Sequence, residues 1–163
     1  MGTNIQQFEA EIEAALDLPE DTVVPVAKQA AREAIVKLVR RTPRDPDRGE
    51  ARGGWNTTIG ATSDAQTGRR DLDGGETISA SHAVIETMTG LDRIVHQNAV
   101  PHANILDKGL FVPSDPGPSK DPRPQRKGRI LVQGGFSTQA PRGMVGITFD
   151  EVVAKYTRRL RGA

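Results

Sequence analysis

Five of the eleven prolines in this 163-residue chain fall between residues 113 and 124, interleaved with Lys120, Arg123, Arg126 and Lys127. Proline has no amide proton and a fixed φ, so neither a helix nor a central strand survives that density. Residues 110–128 therefore read as a Pro- and basic-rich extended loop, and a core must be assembled from its flanks. The expected organisation is a single domain over 1–163, with 20–109 and 129–163 as the core and 1–19 as an N-terminal arm or helix. Hydrophobic residues make up only 36% of the chain and aromatics 4%, so the apolar side chains have to be concentrated in a few elements.

The strongest periodicity lies at 22–41. Val23, Ala27, Ala30, Ala31, Ala34, Ile35, Leu38 and Val39 form one stripe, with Lys28, Gln29, Arg32, Glu33, Lys37 and Arg40 opposite, the pattern of an amphipathic helix. Pro25 is tolerated only in a first turn, which places the helix start near Asp21 or Thr22. A weaker helical pattern, Ile5, Phe8, Ile12 and Leu16, spans 4–16 and ends at Pro19. Residues 43–54 read as a loop. Trp55, Thr57 and Ile59 alternate with Asn56 and Thr58 as a half-buried strand. Residues 60–75 read as an exposed loop, 76–88 as a second amphipathic helix with Gly90 as its cap, and 92–99 as a second strand. A short helix at 101–108 is expected to open with Pro101 at its first position and close at Gly109. A third strand is expected at 129–133, followed by a turn-rich connection over 134–147. Thr148 to Arg161 reads as a C-terminal helix opened by a Thr148–Glu151 capping box, with Phe149, Val152, Val153, Tyr156 and Leu160 as its apolar face. The fold class that follows is α+β: a small antiparallel sheet of three to four strands packed against helices, with an extended loop or arm.

Constellations for chemistry are sparse. With no cysteine, disulfides, thiolate zinc sites and cysteine nucleophiles are out. His82, His96 and His102 lack metal-pair spacing and read as polar strand or loop residues. Asp45, Asp47, Asp71 and Asp73 sit among Gly, Pro and Arg, where carboxylates are normally solvated. Ser114, Ser119 and Ser137 lack a nucleophile elbow, and the Gly-rich stretches at 49–54 and 134–135 lack a phosphate-loop ending. The expectation is a non-enzyme with no cofactor and no metal. A net charge of +1 gives no global case for nucleic-acid binding. Lys120, Arg123, Arg126, Lys127 and Arg129 keep open an alternative reading as a DNA-binding module that uses the basic arm 120–129. Met1–Ala15 carries Glu9, Glu11 and Glu13 and no apolar run, unlike a signal peptide. No segment approaches a membrane span.

Two groups of segments do more. Val39-Arg40-Arg41-Thr42-Pro43, then Arg52-Gly53-Gly54-Trp55-Asn56-Thr57-Thr58-Ile59-Gly60, form the first. The second is Gln97-Asn98-Ala99-Val100-Pro101-His102-Ala103 through Leu106-Asp107-Lys108-Gly109, with Ser137-Thr138-Gln139-Ala140-Pro141-Arg142-Gly143-Met144-Val145. In this order, over residues 20–160, they resemble the bacteriophage neck and tail-completion (minor tail component) proteins of long-tailed phages. Arg44-Asp45-Pro46-Asp47-Arg48-Gly49 departs from the family's Val-Asp-Thr-Gly, His102 stands where Tyr is common, and Asp107 where Glu is common. Residues 110–130 look like an insertion.

The resemblance implies a structural virion protein of the neck, assembled in the host cytoplasm. It implies a homo-oligomeric ring, hexamer or dodecamer, between portal-side connector proteins and tail terminator or tube proteins. DNA would pass through the lumen without sequence recognition, and no membrane is involved. Pro113, Pro116, Pro118, Lys120, Arg123, Arg126 and Lys127 would be contact residues. The N-terminal segment and this arm would be clasped by neighbouring subunits or rings. Trp55, as an apolar anchor between strand and helix, Pro101 and Pro141 as rigid points, Gly109 and Gly143 as sites of unusual backbone angles, and Met144 would define the fold.

Overall fold

A computed structural model of the chain describes residues 19–44, 48–110, 131–132, 136–137 and 140–161. The element order is α1 (Glu20–Arg41), α2 (Glu50–Gly53), β1 (Trp55–Ile59), α3 (Gly75–Glu86), β2 (Ile94–Asn98), α4 (Ala103–Lys108), β3 (Leu131–Val132), β4 (Phe136–Ser137) and α5 (Val145–Arg161). The architecture is α+β. The expected helix over 4–16, the arm at 112–128 and Asp45 and Asp47 lie outside the described residues.

The sheet differs from the expectation of three to four strands. Among the described residues there are two separate two-stranded antiparallel pairs. β1 and β2 pair over five residues, from Trp55↔Asn98 to Ile59↔Ile94, while β3 and β4 pair only with each other. Polar side chains take up carbonyls at the start of β1. Thr67 donates its hydroxyl to Gly53 O at 2.7 Å, and Arg69 Nη1 donates to Trp55 O at 3.3 Å.

α1 carries the core on one stripe, with Ala31, Ile35, Leu38 and Val39 buried. They meet Ala51, Trp55, Ile85, Leu106, Ala140 and Met144, with Ile78 and Ile94 packed against the cluster. The helix begins at Glu20, so Pro25 lies in its second turn and not its first. Asp21, whose carbonyl loses its helical donor to that proline, is exposed, where water can serve it.

Other local expectations change as well. Residues 50–53 of the expected loop form α2, because Gly49 at φ 64 turns the chain and accepts from the Gly53 amide at 2.9 Å. Gly90 does not cap α3; the helix ends at Thr87, whose hydroxyl and amide both return to Val84 O. Pro101 sits in the turn before α4, with His102 as the N-cap. Asp71 is not solvated but buried. It accepts from the Gly74 and Thr77 amides at 2.7 and 2.8 Å, capping α3 whose own N-cap is glycine. Burial would push the Asp71 carboxyl up, but the bonds from Thr77 and Gly74 outweigh it and hold it below the usual carboxylate range.

α5 packs antiparallel on α1 through a polar ladder that steps by about four residues along each helix. Gln29 meets Arg159, Glu33 meets Lys155 at 2.5 Å, Lys37 meets Glu151 at 2.7 Å, and Arg41 meets Thr148 at 2.8 Å and Glu151 at 2.7 Å. Tyr156 adds a hydroxyl bond to Glu33 at 3.0 Å. Hydrogen bonds from Arg41 and then Lys37 hold the Glu151 carboxyl at about 2.

Trp55 ties the strand to the end of α1. It is 3% exposed, and its indole Nε1–H donates to Thr42 Oγ1 at 2.7 Å while that hydroxyl donates to Leu38 O at 2.8 Å. Replacing Thr42 by Val orphans a buried indole N–H and is expected to cost about 1–3 kcal/mol, which thermal unfolding reads as about 2–4 °C per kcal/mol. Adding Trp55→Phe, which has no N–H to orphan, is expected to cost less in the Thr42→Val background than alone; strict additivity of the two would contradict the tie.

Candidate functional site

The segments that carry the sequence resemblance meet at one junction. A cleft of about 200 Å³ opens there, walled by Trp55 of β1, by His96, Gln97 and Asn98 of β2, by Asn104 and Asp107 of α4, and by Met144 and Val145 at the head of α5.

The chemistry of the walls is mostly spent on the protein itself. Asn98 Nδ2 donates to Ala51 O at 2.7 Å, and its Oδ1 accepts from the Val100 amide at 3.1 Å in an Asx turn. Gln97 Oε1 accepts from the Ser63 amide at 3.1 Å. Asp107 Oδ1 accepts from the amides of Met144 and Val145, both at 2.8 Å. The first turn of a helix has amides without intrahelical acceptors and a positive partial charge, so a carboxylate there is stabilising. The cap of α5 is thus a residue 38 positions earlier. The expected Thr148–Glu151 capping box is not formed: the helix starts at Val145, Thr148 lies inside it, and both residues bind Arg41 instead.

Two glycines make the junction possible. Gly109 closes α4 at φ 67. Gly143 turns into α5 at φ 75, and a Cβ there would collide with the Asp107 carbonyl oxygen. Pro141 is exposed beside it and bridges to Gly143, while Met144 is fully buried.

His96, in the cleft wall, is held by two partners. Its Nε2 is 3.1 Å from Ala31 O and its Nδ1 2.9 Å from Thr57 Oγ1. A carbonyl only accepts, so Nε2 carries the proton and donates, and Nδ1 accepts from the threonine hydroxyl. Burial pushes the imidazole down to about 4, although the bond to Ala31 works the other way.

Among the described residues, no three His, Asp or Glu side chains gather to hold a metal ion, and no helix is long and apolar enough to cross a membrane. Pro113, Pro116, Pro118, Lys120, Arg123, Arg126 and Lys127 lie outside the described residues. Beside the cleft, α5 shows an uncovered apolar edge. Val145 is 45% and Phe149 57% exposed. Phe149 therefore leaves the apolar face expected for this helix, which buries Val152 and Tyr156 instead. The ladder explains the shift, because it turns Thr148 and Glu151 toward α1.

The capping and tying residues Asp107, Thr42, Asn98 and Asp71 escape a reading by periodicity. Two have local signals: Asn98 two residues before an amide it can bind, and Asp71 three before a glycine N-cap. Comparisons with protein-family models, curated proteins and solved structures found no match for the chain.

Replacing Asp107 by Ala strands the amide of buried Met144 and is expected to cost about 1–3 kcal/mol, whereas Asp107→Asn keeps an acceptor and is expected to cost about 0.3–1 kcal/mol. Chemical denaturation of the two variants checks the order. For His96, the unfolded chain takes its proton near 6.5 while the folded chain resists until about 4. Its stabilising effect is complete above pH 6.5 and declines as pH falls toward 4, by about 2 kcal/mol at pH 5. Urea unfolding at pH 7 and pH 5 reads this loss, which is expected to shrink in His96→Gln.

Proposed function

We propose that the chain is a structural virion protein of a phage neck, completing the tail or joining it to the head as a ring around the DNA channel. The observation that carries this reading is the convergence at the cleft. Segments that resemble the neck and tail-completion family, about 100 residues apart along the chain, meet at one junction, where Thr42 binds Trp55, Asn98 binds Ala51, and Asp107 binds Met144 and Val145. Their polar groups are spent on backbone amides and carbonyls, the use expected of a structural junction. The exposed apolar edge of α5, Val145 in the cleft wall and Phe149 one turn on, supports a contact with another subunit or with a neighbouring ring, since head-to-tail contacts between identical subunits close into rings. The neck, the hexameric or dodecameric ring and the portal-side and tail-side partners rest on the sequence resemblance.

Inactivating the gene in its phage is expected to leave DNA-filled heads and separate tails in negative-stain images; joined virions would overturn the proposal. Supplying the wild-type gene is expected to restore joining. A Val145→Asp, Phe149→Asp gene is expected not to, although both side chains are exposed and the purified variant melts within a few degrees of wild type.

A further inference from the structure

The β1–β2 pair keeps one edge open among the described residues. Just beyond the ladder, the Gly60 amide donates to Arg93 O at 2.7 Å. Bonded and unbonded pairs alternate in an antiparallel ladder, so Thr58↔Val95 and Asn56↔Gln97 are the bonded pairs within it. Ile94, His96 and Asn98 then turn their amides and carbonyls away from β1. The 2.9 Å contact between Thr57 Oγ1 and His96 Nδ1 agrees, because side chains approach most closely in the unbonded pairs. Among the described residues, none of these outward amides or carbonyls has a partner. The edge of β1 is different: Arg69 takes its Trp55 carbonyl, and Trp55 and Thr57 are buried. All five residues of β2 stay partly exposed.

The cleft runs along this open edge. His96 and Asn98 point to one face of the sheet and Gln97 to the other, yet all three line the cleft. A space that touches three consecutive residues of a strand lies beside its backbone. Residues of α4 and the head of α5 form the far side, and the buried Trp55, Ala103 and Met144 give it an apolar floor. At about 200 Å³ it is smaller than the usual small-molecule site of roughly 300–1,000 Å³. We propose that the β2 edge and the cleft together dock an extended segment of another polypeptide, added to the sheet as a third strand. The chemistry selects that occupant. Amides and carbonyls that repeat at every second residue are matched by a second extended backbone, which presents the same row. The cleft takes one apolar side chain of that segment, of valine or leucine size, which fixes its register on the edge. The inference goes beyond the neck reading and does not depend on it.

The probe is the pentapeptide acetyl-Thr-Val-Thr-Val-Thr-amide, and the readout is amide hydrogen exchange in the full-length protein, residue by residue. In the dilute free chain, Val95 and Gln97 are expected to exchange slowly, bonded to β1, and Ile94, His96 and Asn98 rapidly. Millimolar peptide is expected to slow those three by about threefold or more. The same peptide N-methylated at every residue, which has no amide to donate, is expected to leave them unchanged. Asn104→Trp, at an exposed position in the cleft wall, fills the cleft and is expected to remove the slowing, although the variant melts within a few degrees of wild type. Three outcomes overturn the proposal: the three amides already slow in the dilute free chain, no slowing with peptide, or equal slowing with the N-methylated peptide. Slowing that survives Asn104→Trp contradicts the part given to the cleft. The neck reading is tested separately, by the joining of heads to tails.

Discussion

The Asp107 carboxylate, bound to the amides of Met144 and Val145, fixes where the C-terminal helix begins, and most of the remaining structure depends on that position. Closing the 37-residue separation between Asp107 and Met144 costs about 3 kcal/mol in chain entropy before any constant is added. A charged hydrogen bond returns about 1.5–3 kcal/mol, so the cap alone does no better than break even. The surplus comes from burial: Met144 is fully enclosed, Val152 and Tyr156 nearly so, and each large apolar side chain adds about 1.5–3 kcal/mol. The cap sets register and direction; the apolar contacts supply the affinity.

With the register set, the ladder between α1 and α5 follows. Gln29, Glu33, Lys37 and Arg41 lie at one spacing, and Arg159, Lys155, Glu151 and Thr148 at nearly the same spacing in reverse. The pairs are exposed or half-exposed, so each contributes little by itself. Their value is directional, because a shift of α5 by one turn would set Lys37 against Lys155 in one direction and Glu33 against Glu151 in the other, each a like-charge pair. The ladder also consumes the polar side of α5 and leaves Val145 and Phe149 facing water. The same contacts that order the helix create its uncovered edge.

The sequence makes the long periodic elements legible. Residues 20–41, the alternating strand at 55–59 and the helix near 76–86 follow from side chains that local geometry sorts into faces. Trp55 is legible as an anchor, being the one large aromatic at a strand start, but the acceptor it uses, Thr42, is not. α2 is hidden because its glycines read as breakers, and only the left-handed turn at Gly49 lets four residues coil. The sheet expectation fails because hydrophobic runs reveal strands without revealing pairing; β3 had a signal of its own, yet it pairs with β4 and not with β1. At the cleft, Gly109 and Gly143 stand out from type and position, and Met144 through the resemblance alone. Asp107, the residue they surround, does not, since its partners are tertiary. Phe149 misleads for a related reason: apolar residues on two adjoining edges of a helix do not reveal which edge is covered.

The exposed apolar edge of Val145 and Phe149 is the physical basis for the proposal that this chain is an assembling subunit. Native mass spectrometry of the purified full-length chain tests that directly. The predicted result is a closed species of several copies, with a mass that is a multiple of 17.6 kDa well above that of one chain. A chain that stays monomeric at every concentration would contradict it.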